Sequence, residues 1–146
     1  MVRAVRPTVS FYRYLYNTVG QEWLWYERRQ WSDEQLRAVI HHPQIEIHVL
    51  YVAGVPAGYG ELNLQHMPSI ELAYFGLLPE FIGKGLGKFF LNAMIDLAWV
   101  HAPQRVWLHT CTLDHPQALA VYQRAGFAPY KNEIKIFDDP RMLGVI

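Results

Sequence analysis

The sequence contains a single cysteine, no long apolar run and no excess of charge of either sign. Cys111 alone cannot form an internal disulfide bond. No apolar stretch approaches the roughly 20 residues of a membrane-spanning helix, and the start MVRAVRP lacks the apolar segment of a signal peptide. Thirteen basic residues balance thirteen acidic ones, so no long-range field would attract nucleic acid or an anionic membrane. We therefore expect a cytoplasmic protein that binds neither, and any anion site must be local.

Length and composition indicate one folded domain over residues 1–146. Hydrophobic residues make up 51% of the chain and aromatic residues 14%, well above the content of disordered sequences. A chain of this size can bury roughly 68–70% of the surface that its unfolded form exposes. No repeat, linker or low-complexity segment divides the sequence.

Hydrophobic periodicity predicts an α+β domain with a mixed sheet. Helical spacing marks residues 8–19, with Gly20 as a C-terminal cap, and a capping box at Ser32 begins a second helix. Alternation then predicts three antiparallel strands at 45–52, 57–64 and 70–78. The pattern then predicts a helix from residue 86 and a strand at 104–111. A helix capped by Asp114, with an inward-facing Leu119, and one or two strands within 127–137 follow.

The most informative stretch is 71–90, ELAYFGLLPEFIGKGLGKFF, in which a strand leads through a bare turn into a helix. Pro79 ends the strand because it has no N–H group to donate. Unpaired N–H groups and the positive end of the helix dipole suit a phosphate. Phe89 excludes a Walker A loop, which needs Ser or Thr at that position. The residues predicted to form the anion site are Gly83, Lys84, Gly85, Gly87 and Lys88.

This turn resembles the acyl-CoA loop of the GNAT acetyltransferases, whose motif is [Q/R]-x-x-G-x-[G/A]. The matching residues are Ile82, Gly83, Lys84, Gly85, Leu86 and Gly87. Ile82 stands where the family has Gln or Arg, so backbone amides would carry more of the pyrophosphate contact. Residues 114–127 resemble a second family motif, N-x-x-A-x-x-x-Y-x-x-x-G-F, with His115 in place of the asparagine.

The resemblance implies the GNAT fold, an antiparallel β-meander followed by βαβαβ with splayed central strands. It also implies acetyl-CoA as co-substrate, no metal, and an amine substrate. The loop with Lys84, and Lys88 beside it, would bind the pyrophosphate, and the backbone of Phe75 to Leu77, with His115 nearby, would bind the pantetheine arm. An acyl-CoA-binding sensor without catalytic activity is the alternative function.

Thioester aminolysis poses two proton-transfer problems. An alkylammonium with a pKa near 10.4 must lose a proton, at a cost of about 4.6 kcal/mol at pH 7, and a thiolate must leave. Tyr122 matches the family tyrosine that protonates the departing sulfur. Glu71, on the strand before the loop, is the first candidate for the general base, and Glu61 or an ordered water is the alternative. A free glutamate is a poor base for an ammonium ion, so an apolar environment is expected around it.

Two other clusters have more than one interpretation. Trp23, Trp25, Tyr26 and Trp31 could line an acceptor pocket, form a second core, or form the face of a homodimer. The histidines and cysteine of 109–115 lack the spacing of a zinc site. The sequence leaves the identity of the amine and the oligomeric state open.

Overall fold

The computed structural model describes residues 1–110, 113–133, 139–142 and 144. Its five-stranded mixed sheet has the order β1-β2-β3-β4-β5. The strands are β1 (Val2–Ala4), β2 (Ile45–Val52), β3 (Val55–His66), β4 (Ser69–Leu77) and β5 (Arg105–Trp107). The α-helices of the described residues are α1 (Val9–Gly20), α2 (Asp33–Ile40), α3 (Leu86–Val100) and α4 (Ala118–Arg124). Short 3-10 helices span Glu27–Gln30 and Pro79–Phe81. Strands β1 to β4 are antiparallel and β5 is parallel to β4. A search of the described residues for helices able to cross a membrane found none.

Local capping interactions begin the first two helices, and the one at Ser32 was predicted. The Thr8 hydroxyl accepts a hydrogen bond from the Phe11 N–H, and Ser32 and Gln35 form a reciprocal capping box. Gly20 is not the C-terminal cap that was predicted, because it is the last residue of α1 and Gln21 is the cap. A Cβ at Gly20 would lie 2.5 Å from Trp25 Cβ, so this position needs glycine for space.

The sheet separates two apolar cores. Helices α1 and α2 cover one face, which we call the α1 side, where Tyr12, Leu15 and Leu36 are buried. Helix α3 covers the other face, the α3 side, where Phe90 and Met94 are buried. Full burial of such side chains stabilises the fold by roughly 1.5–3 kcal/mol each. The apolar stripe of α3, the clearest helical pattern in the sequence, is therefore confirmed as a packing face, except that Phe89, which helical spacing also places in the stripe, is 61% exposed.

Strand β4 does not alternate regularly, contrary to the sequence prediction. The register with β3 shifts so that Ala73 has no partner, which is the signature of a β-bulge. Ile70 and Leu72 lie in the α3-side core, whereas Tyr74 packs on the α1 side. The extra residue therefore places Tyr74 on the same side as Glu71, although regular alternation predicted opposite sides.

Strands β4 and β5 diverge after a short paired segment. Only Ser69–Glu71 of β4 pairs with Arg105–Trp107, and residues 72–77 have no partner on this side among the described residues. The predicted splaying of the central strands is therefore confirmed. We call the space beyond Glu71 and Trp107 the gap.

The C-terminal third departs most from the prediction. Strand β5 ends at Trp107, well before residue 111, and Cys111 lies outside the described residues. Residues 127–133 form no strand, and the predicted strand positions 134–137 also lie outside the described residues. Leu119 is 51% exposed instead of facing inward, because the short helix α4 has only one apolar side to bury.

The start of α4 also differs from the sequence prediction. Asp114 is not its N-cap; the Asp114 carboxylate accepts a hydrogen bond from the Thr110 hydroxyl at 2.6 Å. His115 Nδ1 accepts one from the Gln117 N–H at 3.1 Å, and Gln117 is the cap residue. At the other end, Gly126 has a φ of +108° and ends the helix as predicted.

Candidate active site

The loop before α3 requires glycine for its backbone conformation. Gly83 and Gly85 have φ values of +82° and +78°, which side-chain-bearing residues rarely adopt. A Cβ at either position would meet nothing within 4 Å, so crowding by protein atoms does not explain these glycines. Both residues are exposed. The loop is therefore a bare backbone surface that a ligand can approach closely.

The amide groups of this loop are available for binding an anion. Within the described ranges, no oxygen accepts a hydrogen bond from the N–H groups of residues 83–87. Lys84 and Lys88 are exposed beside them, and the Lys84 ammonium lies 5.7 Å from the centre of the Phe81 ring. The N-terminus of the 15-residue helix α3 adds its partial positive charge. A pyrophosphate fits this donor set.

Leu86 anchors the loop to the α3 side. Leu86 packs against the α3-side core, and Ile82 is half-buried. A Cβ at Gly87 would be 3.7 Å from Leu77 Cδ1, so the helix start lies directly against the end of β4. Ile82 offers no charged group, so the groups of this stretch that could bind an anion are the backbone amides and the two lysines.

Tyr122 on α4 is packed against the same strand. Its ring lies 6.4 Å from that of Phe75 on β4 and 6.3 Å from that of Phe127, both edge to face. Burial, with a further contribution from the Asp114 carboxylate, raises the pKa of the Tyr122 hydroxyl. The phenol therefore keeps its proton at neutral pH, as a proton donor must.

Glu71 lies at the mouth of the gap. Its side chain is 17% exposed, and its Oε1 is 3.5 Å from Nδ1 of His109, which follows β5 and is 72% exposed. Sequence reasoning missed this partnership and considered His109 only together with Cys111 and His115, as a metal ligand or as part of a Cys–His nucleophile. The signal was present in the parallel pairing of β4 with β5, which aligns Glu71 with Trp107, two residues before His109.

Glu61 is occupied by another interaction. Its fully buried carboxylate accepts two hydrogen bonds from Arg28 Nη1, at 2.7 and 2.8 Å, and one from the Tyr12 hydroxyl at 2.7 Å. Arg28 also donates to Tyr12. Burial alone would lower the pKa of the Arg28 guanidinium, but the Glu61 carboxylate raises that pKa above its usual value. A carboxylate enclosed in this way cannot reach an incoming amine, which favours Glu71 as the base.

The aromatic cluster divides between the core and the site. The Trp25 ring lies 5.1 Å from Tyr74 and 5.6 Å from Tyr16, and packs against the α1-side core. Trp31 also packs there, with the Arg28 guanidinium 5.2 Å from its ring. Trp23 instead meets His115 at 5.4 Å, at the start of α4. Trp25 and Trp31 thus belong to the core, and Trp23 stands beside a residue predicted to contact the pantetheine arm.

A metal centre is not formed by the described residues. Among them, no group of three or more His, Cys, Asp or Glu side chains lies close enough together to hold a metal ion.

A mixed sheet with diverging central strands and a glycine-rich helix start beside the gap defines the acyl-CoA N-acyltransferase fold. The model of the acetyltransferase (GNAT) family matches residues 12–127, so the chain belongs to the GNAT family of acetyltransferases and is an acyltransferase. No curated protein matches the sequence.

Solved structures share the fold at low sequence identity. An aminoglycoside acetyltransferase from an uncultured soil metagenomic sample, in complex with sisomicin, is 11% identical with a TM-score of 0.73, over 94% of this chain and 93% of that one. A putative acetyltransferase from Agrobacterium tumefaciens is 20% identical with a TM-score of 0.69, over 94% and 100%. The aminoglycoside N-acetyltransferase AAC(6')-Iy in complex with CoA is 16% identical with a TM-score of 0.65, over 94% and 97%.

Proposed function

We propose that this protein is an N-acetyltransferase that moves the acetyl group of acetyl-CoA directly to a primary amine of a small molecule or peptide. The observation that carries the proposal is the placement of three groups along β4. The bare loop adjoins its end, the protonated Tyr122 packs on Phe75, and the Glu71 carboxylate opens into the gap. Each suits one requirement of thioester aminolysis.

Acetyl-CoA as the donor is supported by the fit of the loop. The free amides of residues 83–87 and the two exposed lysines match a diphosphate, and the open space above Gly83 and Gly85 gives it access. The backbone of Phe75 and Leu77 borders the gap, where the pantetheine arm would lie. The structural neighbour that contains CoA agrees with this donor.

The chain's own residues would then handle two protons. Acetyl-CoA supplies the thioester carbon. Glu71 accepts the proton that the ammonium group of the substrate must lose, a loss that costs about 4.6 kcal/mol at pH 7 in water. Tyr122 donates its proton to the leaving sulfur, so that a neutral thiol departs instead of a thiolate. The transfer requires no covalent acyl-enzyme.

The acceptor class is supported by the surroundings of Glu71 and by the neighbours. A carboxylate at the mouth of the gap attracts a cationic amine. The metagenomic neighbour was crystallised with sisomicin, an aminoglycoside. We infer an amine-bearing acceptor, and the individual compound is a matter for a screen.

Two measurements test the proposal. Calorimetry with acetyl-CoA should show binding, and release of free thiol should depend on an added amine from a panel of aminoglycosides, polyamines, amino acids and peptides. Binding without amine-dependent thiol release would favour an acyl-CoA sensor instead. Absence of acetyl-CoA binding would contradict both functions.

A further inference from the structure

The pairing of Glu71 with His109 joins a half-buried carboxylate to a solvent-exposed imidazole. Glu71 aligns with Trp107 in the parallel pairing of β4 and β5, and His109 leaves β5 two residues later. The side chains are 17% and 72% exposed, and Glu71 Oε1 is 3.5 Å from His109 Nδ1. The contact therefore runs from the inside of the gap to bulk water.

Proton balance requires such a connection. Acetylation of an ammonium ion by acetyl-CoA yields an amide, a thiol and one free proton. A nitrogen–carbon bond forms and a carbon–sulfur bond breaks. One of the two protons that the nitrogen loses replaces the proton that the acid gave to sulfur, and the other must leave the site. A base that is mostly enclosed keeps that proton until a neighbour accepts it, so turnover depends on a route to solvent.

We propose that His109 is the proton exit of Glu71: it accepts the proton that the carboxylate has taken from the amine and passes it to water. This inference rests on the proposed function. Across the sheet Glu71 faces Asn63 on β3, which does not titrate, and on β5 it faces Trp107, over which the Arg105 guanidinium lies at 5.8 Å. Imidazole can both accept and release a proton near neutral pH, which neither an amide nor a guanidinium can do. His109 is thus a proton-relay residue that acts through Glu71.

The test replaces His109 by glutamine, which retains a hydrogen-bond donor for Glu71 but cannot relay a proton. In dilute buffer at pH 7, kcat should fall by about tenfold or more, whereas acetyl-CoA affinity measured by calorimetry should not change. Added imidazole should restore kcat, because the position of residue 109 is open to solvent. His66→Gln, the same change at a second exposed histidine, should behave as the parent with and without imidazole.

A double variant separates a relay from an unrelated defect. If both residues serve one proton path, His109→Gln should cost little more in a Glu71→Gln background, and imidazole should not help there. Parental kcat in His109→Gln, or a loss that imidazole does not reverse, would overturn the relay while leaving the acetyltransferase function intact. A parent protein that acetylates no amine would overturn both.

Discussion

The buried ion pair between Arg28 and Glu61 allows a stability prediction of unusual size. Arg28 is 10% exposed and Glu61 is fully buried in the central strand β3. Arg28→Met removes the cation and leaves the carboxylate with the Tyr12 hydroxyl as its remaining described partner. Loss of one member of such a pair costs roughly 3–5 kcal/mol because an uncompensated charge stays buried. For a chain of this length we expect the melting temperature to fall by about 10–15 °C.

Removal of the opposite partner should be less damaging. Arg28 lies on the 3-10 helix Glu27–Gln30, none of whose residues is fully buried, so after Glu61→Leu the guanidinium can turn towards water. The double variant Arg28→Met/Glu61→Leu should recover much of the loss, since buried pairs replaced by apolar residues are often neutral in stability. Adding Tyr12→Phe should recover more, because the Tyr12 hydroxyl would otherwise keep neither partner.

Urea unfolding of the single, double and triple variants measures these differences. Arg29→Met is the matched control, since the described hydrogen bonds of Arg29 go to neutral oxygens of Asn17 and Gln21. The reasoning fails if Arg28→Met costs less than about 1 kcal/mol, or if Glu61→Leu is the more damaging single change.

Four further predictions concern the site and the sheet. Gly85→Val should abolish acetyl-CoA binding in calorimetry, because φ at this position is +78° and the new side chain projects over the loop. Gly87→Ala, whose new Cβ would make an ordinary contact with β4, should have a melting temperature no lower than that of the parent. Tyr122→Phe should retain acetyl-CoA affinity and lower kcat by ten- to a thousandfold, on the order of 1.4–4 kcal/mol; unchanged turnover would make this tyrosine a packing residue. Glu71→Gln should lose most rate at neutral pH and recover partly at high pH, where the free amine is abundant, and a parental pH profile would exclude it as the base. The hydrogen bond from His48, followed by nearby positive charge, lowers the pKa of Glu46 below its ordinary 4.5. Glu46→Gln should therefore be less stable than the parent at pH 7, and urea unfolding should show this difference in stability closing as the pH falls below about 4. A difference in stability that does not depend on pH would contradict this linkage.

Features encoded by a few consecutive residues could be predicted from the sequence. The capping box at Ser32, the apolar stripe of α3 and the bare turn at Gly83 and Gly85 all depend on neighbours along the chain. Each is confirmed as a structural element because local backbone preferences and packing agree there.

Features that depend on distant partners could not be predicted from the sequence. Arg28 and Glu61 are 33 positions apart, and nothing near either residue marks them as a pair. Glu71 and His109 come together only because β5 pairs in parallel with the start of β4. In both cases a tertiary contact decides between alternatives that the local sequence leaves equal.

The bulge at Ala73 has a consequence for insertions and deletions. Since side chains along a strand alternate between faces, one extra residue reverses the assignment of faces on one side of it. In a chain lacking Ala73, Glu71 and Tyr74 would be two positions apart and would still point to the same side of a regular strand, whereas in a strand that kept Ala73 and lost the bulge they could not. In the second case either the carboxylate would enter the α3-side core or the tyrosine would leave the aromatic cluster around Trp25. The composition of the gap is thus set by the register of β4 as well as by the identity of its residues, and loss of the bulge would disturb it more than deletion of the alanine that forms it.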